Sequence, residues 1–251
     1  MMSTTLQQLC EKHLIPWAEQ YLPTPFTQTQ IDLFSGYLQI LEEWNQKMNL
    51  TATVDQEEMV HRHLIDSLSV LKAMDIPQGV RLADIGTGAG LPGIPLKIAR
   101  PDLDISLVEA TGKKCIFLKE ALKVLNLGSG IEIQSKRVEI LGKTQGYRER
   151  YQIVVSRALA KLPVAIEYCL PLLRKEGCYI VLLGRDGEEQ LKRAALAIKQ
   201  LGGQQKHWVD LSEITGHSDR YALVVEKIRK TPPQYPRNPG LASTNPIISD
   251  S

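Results

Sequence analysis

Residues 81–96 read RLADIGTGAGLPGIPL. A short strand, Arg81 to Ile85, runs into Gly86, Thr87, Gly88, Ala89 and Gly90, and the chain then takes up helical spacing. Glycine adopts positive φ at little steric cost and lets the backbone approach a ligand closely, while the first turn of a following helix offers unpaired N–H groups. Pro92 suits that first turn, where its missing N–H would have no partner in any case. Several glycines in one strand-to-helix turn lose considerable entropy on folding, which disfavours a purely structural turn and points to a ligand cradle.

Two ligand fingerprints overlap in this stretch. Residues 88–93, GAGLPG, spell the G-x-G-x-x-G of dinucleotide folds. In that fingerprint the first glycine closes the strand, yet here the strand closes at Gly86, two residues earlier. The register favours Asp84-x-Gly86-x-Gly88-x-Gly90, a methyltransferase pattern, with S-adenosyl-L-methionine as the cofactor. No Gly-Lys-Ser/Thr follows the glycines, which disfavours a nucleotide triphosphatase. The second strand ends at Glu109, 23 residues beyond Gly86, where doubly wound folds put a carboxylate beside a ribose. Glu109 is expected to accept both ribose hydroxyls. That placement serves NAD equally well, so a nicotinamide-dependent reductase stays as an alternative, as does a non-enzymatic scaffold retaining the fold.

Outward from the turn, short apolar runs alternate with longer amphipathic ones, the pattern of repeated βα units. Strands are expected at Arg81 to Ile85, Ile105 to Glu109, Ile131 to Gln134, Ile153 to Ser156 and Tyr179 to Leu183. Helices are expected near Ile94 to Ala99, Lys113 to Leu125, Lys161 to Leu173 and Glu188 to Leu201. Two further β-rich runs, His207 to Leu211 and Tyr221 to Lys227, have only a short link between them and read as an antiparallel hairpin ending the sheet. Arg137-Val138-Glu139 follows the third strand and Ser156-Arg157-Ala158 ends the fourth, both at the carboxyl edge where open α/β folds bind ligands. Arg157 is read as a fork for the cofactor carboxylate or an RNA phosphate, against the plainer role of a surface ion pair.

Before Gly79 the chain shows three helical patterns and no strand. One places Ile31, Phe34, Leu38 and Leu41 on a stripe behind the candidate caps Thr27 and Thr29; the next, behind Asp55, aligns Met59, His63, Leu64, Leu68 and Leu71. His63 on that side is read as a core or interface histidine rather than a ligand. The last stretch, rich in Pro, Ser and Asn, reads as a tail lying across the domain surface. The expected architecture is therefore α/β: a small helical module over 1–78, a Rossmann-like class I methyltransferase domain with a mostly parallel seven-stranded sheet over 79–229, and a Pro-rich tail over 230–251.

A hydrophobic content of 43% with 23% charged residues is that of a folded chain and excludes disordered or fibrous classes. No apolar run approaches a membrane span and the first residues lack a basic flank before an apolar core, so a cytoplasmic protein without a membrane partner is expected. Cys10, Cys115, Cys169 and Cys178 stand far apart, which suggests core residues rather than a zinc or redox site, and no metal is expected. The net charge of +2 divides unevenly: residues 1–78 hold four Lys/Arg against ten Asp/Glu, a balance of −6, and the remainder carries +8. A basic second part is what a polyanion binder requires.

In family order, the chain contains Trp44-Asn45, Asn49-Leu50-Thr51, His63 with Asp66-Ser67, DIGTGAGLPGIPL, VEATGKK, Arg137-Val138-Glu139, VVSRALA and KTPPQYPR. On these motifs, which span nearly its whole length, it resembles the bacterial small-subunit ribosomal RNA methyltransferase G family, also called glucose-inhibited division protein B. The resemblance implies methyl transfer from S-adenosyl-L-methionine to a guanine N7 of 16S ribosomal RNA, with that RNA or the small ribosomal subunit as partner. It also implies a cofactor site made by Gly86, Leu91, Glu109, Ala110, Thr111, Val138, Glu139 and Arg157. N7 carries a lone pair and no proton, so no catalytic base is expected, and no Asn/Asp/Ser-Pro-Pro-aromatic motif stands at the fourth strand. The sequence departs from many relatives at Leu183-Gly184-Arg185, where they have Lys-Gly, and in a less basic tail after Arg237.

Overall fold

The computed structural model describes residues 5–249. Residues 1–4 and 250–251, the outer ends of the expected module and tail, lie outside the described residues. Helix α1 (Leu6–Tyr21) opens with a capping box, Thr5 and Gln8 satisfying each other's backbone N–H, and α2 (Gln28–Asn45) opens with the same device from Thr27 and Gln30. Thr27 is thus the cap, and Thr29 lies inside the helix. Gln30 also donates to the carbonyls of Ile98 and Ala99, at 2.9 and 3.2 Å. The third helical stretch begins as α3 (Gln56–Met59) behind the Asp55 cap, widens to a π segment over Val60–Ile65, and closes through α4 (Asp66–Leu68) and a 3-10 turn. π segments of this kind often mark functional positions, and this one faces the site described below.

The strands are β1 (Arg81–Ile85), β2 (Asp104–Val108), β3 (Ile131–Gln134), β4 (Tyr151–Arg157), β5 (Leu173–Leu183), β6 (Gly203–Asp210) and β7 (Tyr221–Lys227). They form one sheet in the order β3-β2-β1-β4-β5-β7-β6, parallel from β3 to β5, with β7 antiparallel to both β5 and β6. The expected terminal hairpin is present, although its link contains a short helix, α10 (Ser212–Thr215). β6 begins four residues earlier than expected because Gln204, Gln205 and Lys206 are exposed on an edge strand and carry no apolar alternation.

Helices α5 (Gly93–Ala99), α6 (Gly112–Val124), α8 (Leu162–Cys169) and α9 (Gly187–Gln200) connect the parallel strands, and the single turn α7 (Val138–Leu141) follows β3. α8 stops short of the expected Leu173: Pro171 cannot continue an α-helix, a 3-10 turn intervenes, and Leu173 already belongs to β5. Pro92 likewise sits at the cap position, with the helix starting at Gly93.

Alternation along the strands divides the interior into two cores. Leu82, Ile105, Leu107, Ile153, Val155 and Ile180 face the side covered by α1, α2, the π segment, α5 and α6. Ala83, Ile85, Val108, Val154, Tyr179 and Val181 face α8, α9 and the C-terminal residues Tyr235 and Ala242. The N-terminal helices thus share a core with the sheet. Phe34 and Tyr37 are fully buried in it, each worth about 1.5–3 kcal/mol in area removed from water. The tail contains a helical turn, α11 (Leu241–Thr244), where the sequence showed no regular element.

Candidate active site at the carboxyl edge of the sheet

The glycine turn leaves β1 with φ of +68° at Gly86, and Gly86 and Thr87 donate their N–H groups to the Val108 carbonyl of the neighbouring strand. The positive φ requires glycine at Gly86, and a side chain there would have its Cβ 2.4 Å from Leu159 Cδ1, so Leu159 would have to move. The Asp84 carboxylate, fully buried, spans the turn: Oδ2 accepts from Thr87 Oγ1 at 2.5 Å and from Gly93 N at 2.8 Å. Burial pushes the Asp84 carboxyl up to about 6, against those two hydrogen bonds and the charge of Arg157. Among the described residues its Oδ1 has no partner.

Glu109 follows β2, and its buried carboxylate accepts from Gly88 N at 3.1 Å and Thr111 N at 2.7 Å. Ala110 and Thr111 are exposed beside it, and Thr111 caps α6. Leu91 is buried at the end of the turn, and Val138 and Glu139 are buried at the start of α7. The expected cofactor residues therefore stand at the ends of four adjacent strands, β3, β2, β1 and β4. The residues fit an adenosyl ligand: a carboxylate held at the lip of the turn, and open space at Gly88, where a Cβ would meet nothing nearer than 3.9 Å.

Arg157, the last residue of β4, is placed differently from its neighbours. Its Nη1 donates to Asp66 Oδ2 at 3.0 Å and to the Arg62 carbonyl at 2.6 Å, so the guanidinium is joined to the N-terminal helices. Arg220, just before β7, forms an ion pair with Asp66, its Nε 2.9 Å from Oδ1. Asp66, 1% exposed, serves both arginines. Sequence reasoning noted Asp66 but not this role, and it missed Arg220; the partners lie in separate segments, and no local pattern announces the pairing.

Beside them His63 is buried, with Nε2 2.9 Å from Thr51 Oγ1. Burial, helped by the charge of Arg157, holds the imidazole down to about 4, and its Nδ1 has no partner among the described residues. Arg62, His63, Arg157, Leu159, Leu183 and Arg220 line a cleft of about 340 Å³ at the ends of β4 and β5, reached from the glycine turn across Leu159. Arg185, at the position of family departure, is highly exposed and pairs with Asp219 at 3.0 Å. All four cysteines are free and buried, and burial raises the thiols of Cys10, Cys169 and Cys178. Among the described residues no cluster of three or more His, Cys, Asp or Glu is arranged to hold a metal, and no helix is long and apolar enough to cross a membrane.

A parallel sheet with an antiparallel last pair, a glycine turn after its first strand and a carboxylate after its second, defines the class I methyltransferase fold. Geranyl diphosphate C-methyltransferase from Streptomyces coelicolor, solved with Mg²⁺, geranyl diphosphate and S-adenosyl-L-homocysteine, matches with a TM-score of 0.56 at 10% identity over 82% of this chain and 100% of that one. The [4+2]-cyclase SpnF matches with a TM-score of 0.53 at 13% identity over 82% and 98%, so the fold alone names no reaction.

The chain belongs to the rRNA small subunit methyltransferase G family, whose profile matches residues 30–218. It is 43% identical to the ribosomal RNA small subunit methyltransferase G of Moorella thermoacetica, over 87% of this chain and 90% of that protein. To the protein of the same name from Alkaliphilus oremlandii it is 40% identical, over 94% and 98%. The chain is thus an enzyme, a methyltransferase whose cofactor is S-adenosyl-L-methionine, and the reductase and scaffold alternatives fall away.

Proposed function

We propose that the enzyme methylates N7 of a guanine in 16S ribosomal RNA, carried by the small ribosomal subunit or its precursor in the cytoplasm. The observation that carries this reading is the juxtaposition, across Leu159, of the glycine turn with the cleft holding Arg62, Arg157 and Arg220. The charge of +8 after Gly79 supports a polyanionic substrate.

When bound, S-adenosyl-L-methionine supplies a methyl group on a positively charged sulfur. Glu109 would hold the ribose hydroxyls, Ala110 and Thr111 would border them, and the backbone of Val138 and Glu139 would read the adenine edge. Gly86 and Leu91 would shape the cradle, and Arg157, held by Asp66 at the end of β4, would supply positive charge where the cradle adjoins the cleft. Guanine N7 presents a lone pair without a proton, so no side chain has to remove one; the residues act through alignment and electrostatics. N7 lies on the major-groove edge, which A-form helices hide, so the target guanine is unpaired or looped out. In this reading residues 1–78 and 230–251 serve the 79–229 domain as a covering layer and a strap.

Transfer of tritiated methyl groups to undermethylated 30S subunits, followed by strand cleavage at N7-methylguanine, is the test. A single labelled guanine in 16S RNA is expected. Failure of cofactor-binding protein to label either 30S subunits or naked 16S RNA across magnesium concentrations would sink the substrate assignment.

A further inference from the structure

The α7 turn carries Val138 and Glu139 yet has little to hold itself. It is four residues long, follows a four-residue strand, and has no side-chain cap at Arg137. A single helical turn fixes several dihedrals for about one hydrogen bond and does not persist alone. Val138 and Leu141 anchor its inner side in the core. Its outer side is held by the C-terminal residues.

Gly240 donates its N–H to Glu139 Oε1 at 3.1 Å. Pro236 lies so close on Gly142, the residue ending α7, that a Cβ there would come within 2.8 Å of the proline ring. The Arg148 guanidinium donates at once to the Gly142 carbonyl at 2.9 Å and to the Tyr235 and Thr231 carbonyls of the tail at 2.7 and 2.8 Å. Arg237 locks this stretch. It meets Glu167 of α8 through two parallel bonds, Nε to Oε1 at 2.9 Å and Nη2 to Oε2 at 2.6 Å, and adds its own backbone N–H at 2.8 Å. The Glu167 carboxylate is 1% exposed, and Arg237 of the tail is its ion-pair partner.

We propose that the C-terminal strap, locked by Arg237 and latched to Glu139 by Gly240, sets the position of α7 and with it the affinity for S-adenosyl-L-methionine. Arg237 is a positioning residue that acts through Glu139. The inference rests on the reading of Val138 and Glu139 as the adenine side of the cofactor site. With its carboxylate engaged by the tail, Glu139 has its backbone groups to offer the adenine edge.

Affinity for S-adenosyl-L-homocysteine, measured by calorimetry on the full chain, tests this with R237A, R237K, G240P and the reference variant V138E. R237A and G240P are each expected to raise Kd about tenfold or more and to raise KM for the cofactor, with kcat at saturation kept within about twofold. R237K should recover part of the loss, since lysine gives Glu167 a charge without the fork. Unchanged affinity in G240P and R237A, with trypsin showing the tail released, would overturn the proposal. Should R237A fail to fold, G240P decides alone, because it leaves both side chains of the Arg237–Glu167 pair in the chain while removing the N–H that meets Glu139 and, since proline cannot hold φ of +84°, the turn that presents it. Weakened binding in V138E with normal binding in the strap variants sinks the strap inference only; normal binding in V138E sinks the adenine-side assignment on which it stands.

Discussion

Around β1 and β2 the carboxyl edge is built from backbone: three glycines, the amides of Gly88 and Thr111 held by Glu109, and the amide of Gly93 held by Asp84. Around β4 and β5 it is built from side chains gathered from three distant segments, with Asp66 of the N-terminal helices joining Arg157 to Arg220. The difference suits the two tasks. In the proposed function a small cofactor would be met by a rigid turn whose groups cost little to reorganise, and a polyanion by positive forks held in place by a buried charge. The backbone-built half should therefore fail through steric and conformational change, and the side-chain-built half through charge.

The largest effect is expected from G86V, which forces a β-branched residue to positive φ and drives its Cβ into Leu159. Methyl transfer should fall by about 1,000-fold or more through lost cofactor binding, with the circular dichroism of the fold retained. D66N comes next. It removes the charge that pairs two arginines, and because these are 16% and 32% exposed the loss is set below that of a fully buried pair, at about 2–3 kcal/mol by urea denaturation. Methyl transfer by D66N should drop far more than its affinity for S-adenosyl-L-homocysteine; an equal drop in both would mean that the two halves are not separable. E109Q should weaken S-adenosyl-L-homocysteine about 10- to 30-fold, the worth of hydrogen bonds to a charged acceptor, while leaving 30S binding alone.

The smallest effect is a pH dependence. The His63 imidazole is held down to about 4, so between there and its ordinary value of 6.5 the unfolded chain binds more protons than the folded one. Its contribution to stability is complete above pH 6.5 and is lost as the pH falls toward 4, with a slope of at most about 1.4 kcal/mol per pH unit. Asp84, raised to about 6 from 3.8, works in the opposite sense: folding favours its neutral form, so stability falls as the pH rises through that window. The two partly cancel. H63Q should therefore be less acid-sensitive than the parent between pH 6.5 and 4, as read by thermal denaturation, and a parallel pair of curves would show that His63 does not carry the term.

What was legible in the sequence follows the same division. Gly86, Gly88, Gly90 and Glu109 were readable because a turn and a strand end are local, and β1 matched its expected bounds. The cofactor-side residues Val138 and Glu139 were placed by family resemblance, and the structure adds that Glu139 is bonded to residue 240. The pairing of Asp66 with Arg157 and Arg220 could not be read, because an ion pair across two domains' worth of chain leaves no periodic trace. The polar start of β6 was missed because edge strands hide from hydrophobic alternation, and α11 because its four residues sit in a proline-rich context. The charge division of −6 and +8 singled out the second part of the chain, yet the buried acidic residue that pairs with Arg157 and Arg220 belongs to the first.

The buried Tyr37 hydroxyl donates to the Ala89 carbonyl at 2.7 Å, inside the glycine turn. The motif's curvature is thus held in part by a helix that begins some sixty residues before it, and the same helix covers the apolar face shown by Leu82, Ile105 and Leu107. The glycine turn is consequently not a portable cassette. Excised or transplanted with residues 79–229 alone, it would carry its spelling but not its shape, and would expose to water the apolar side chains that the N-terminal helices now cover. Evolution and engineering alike must move the helical layer and the turn together.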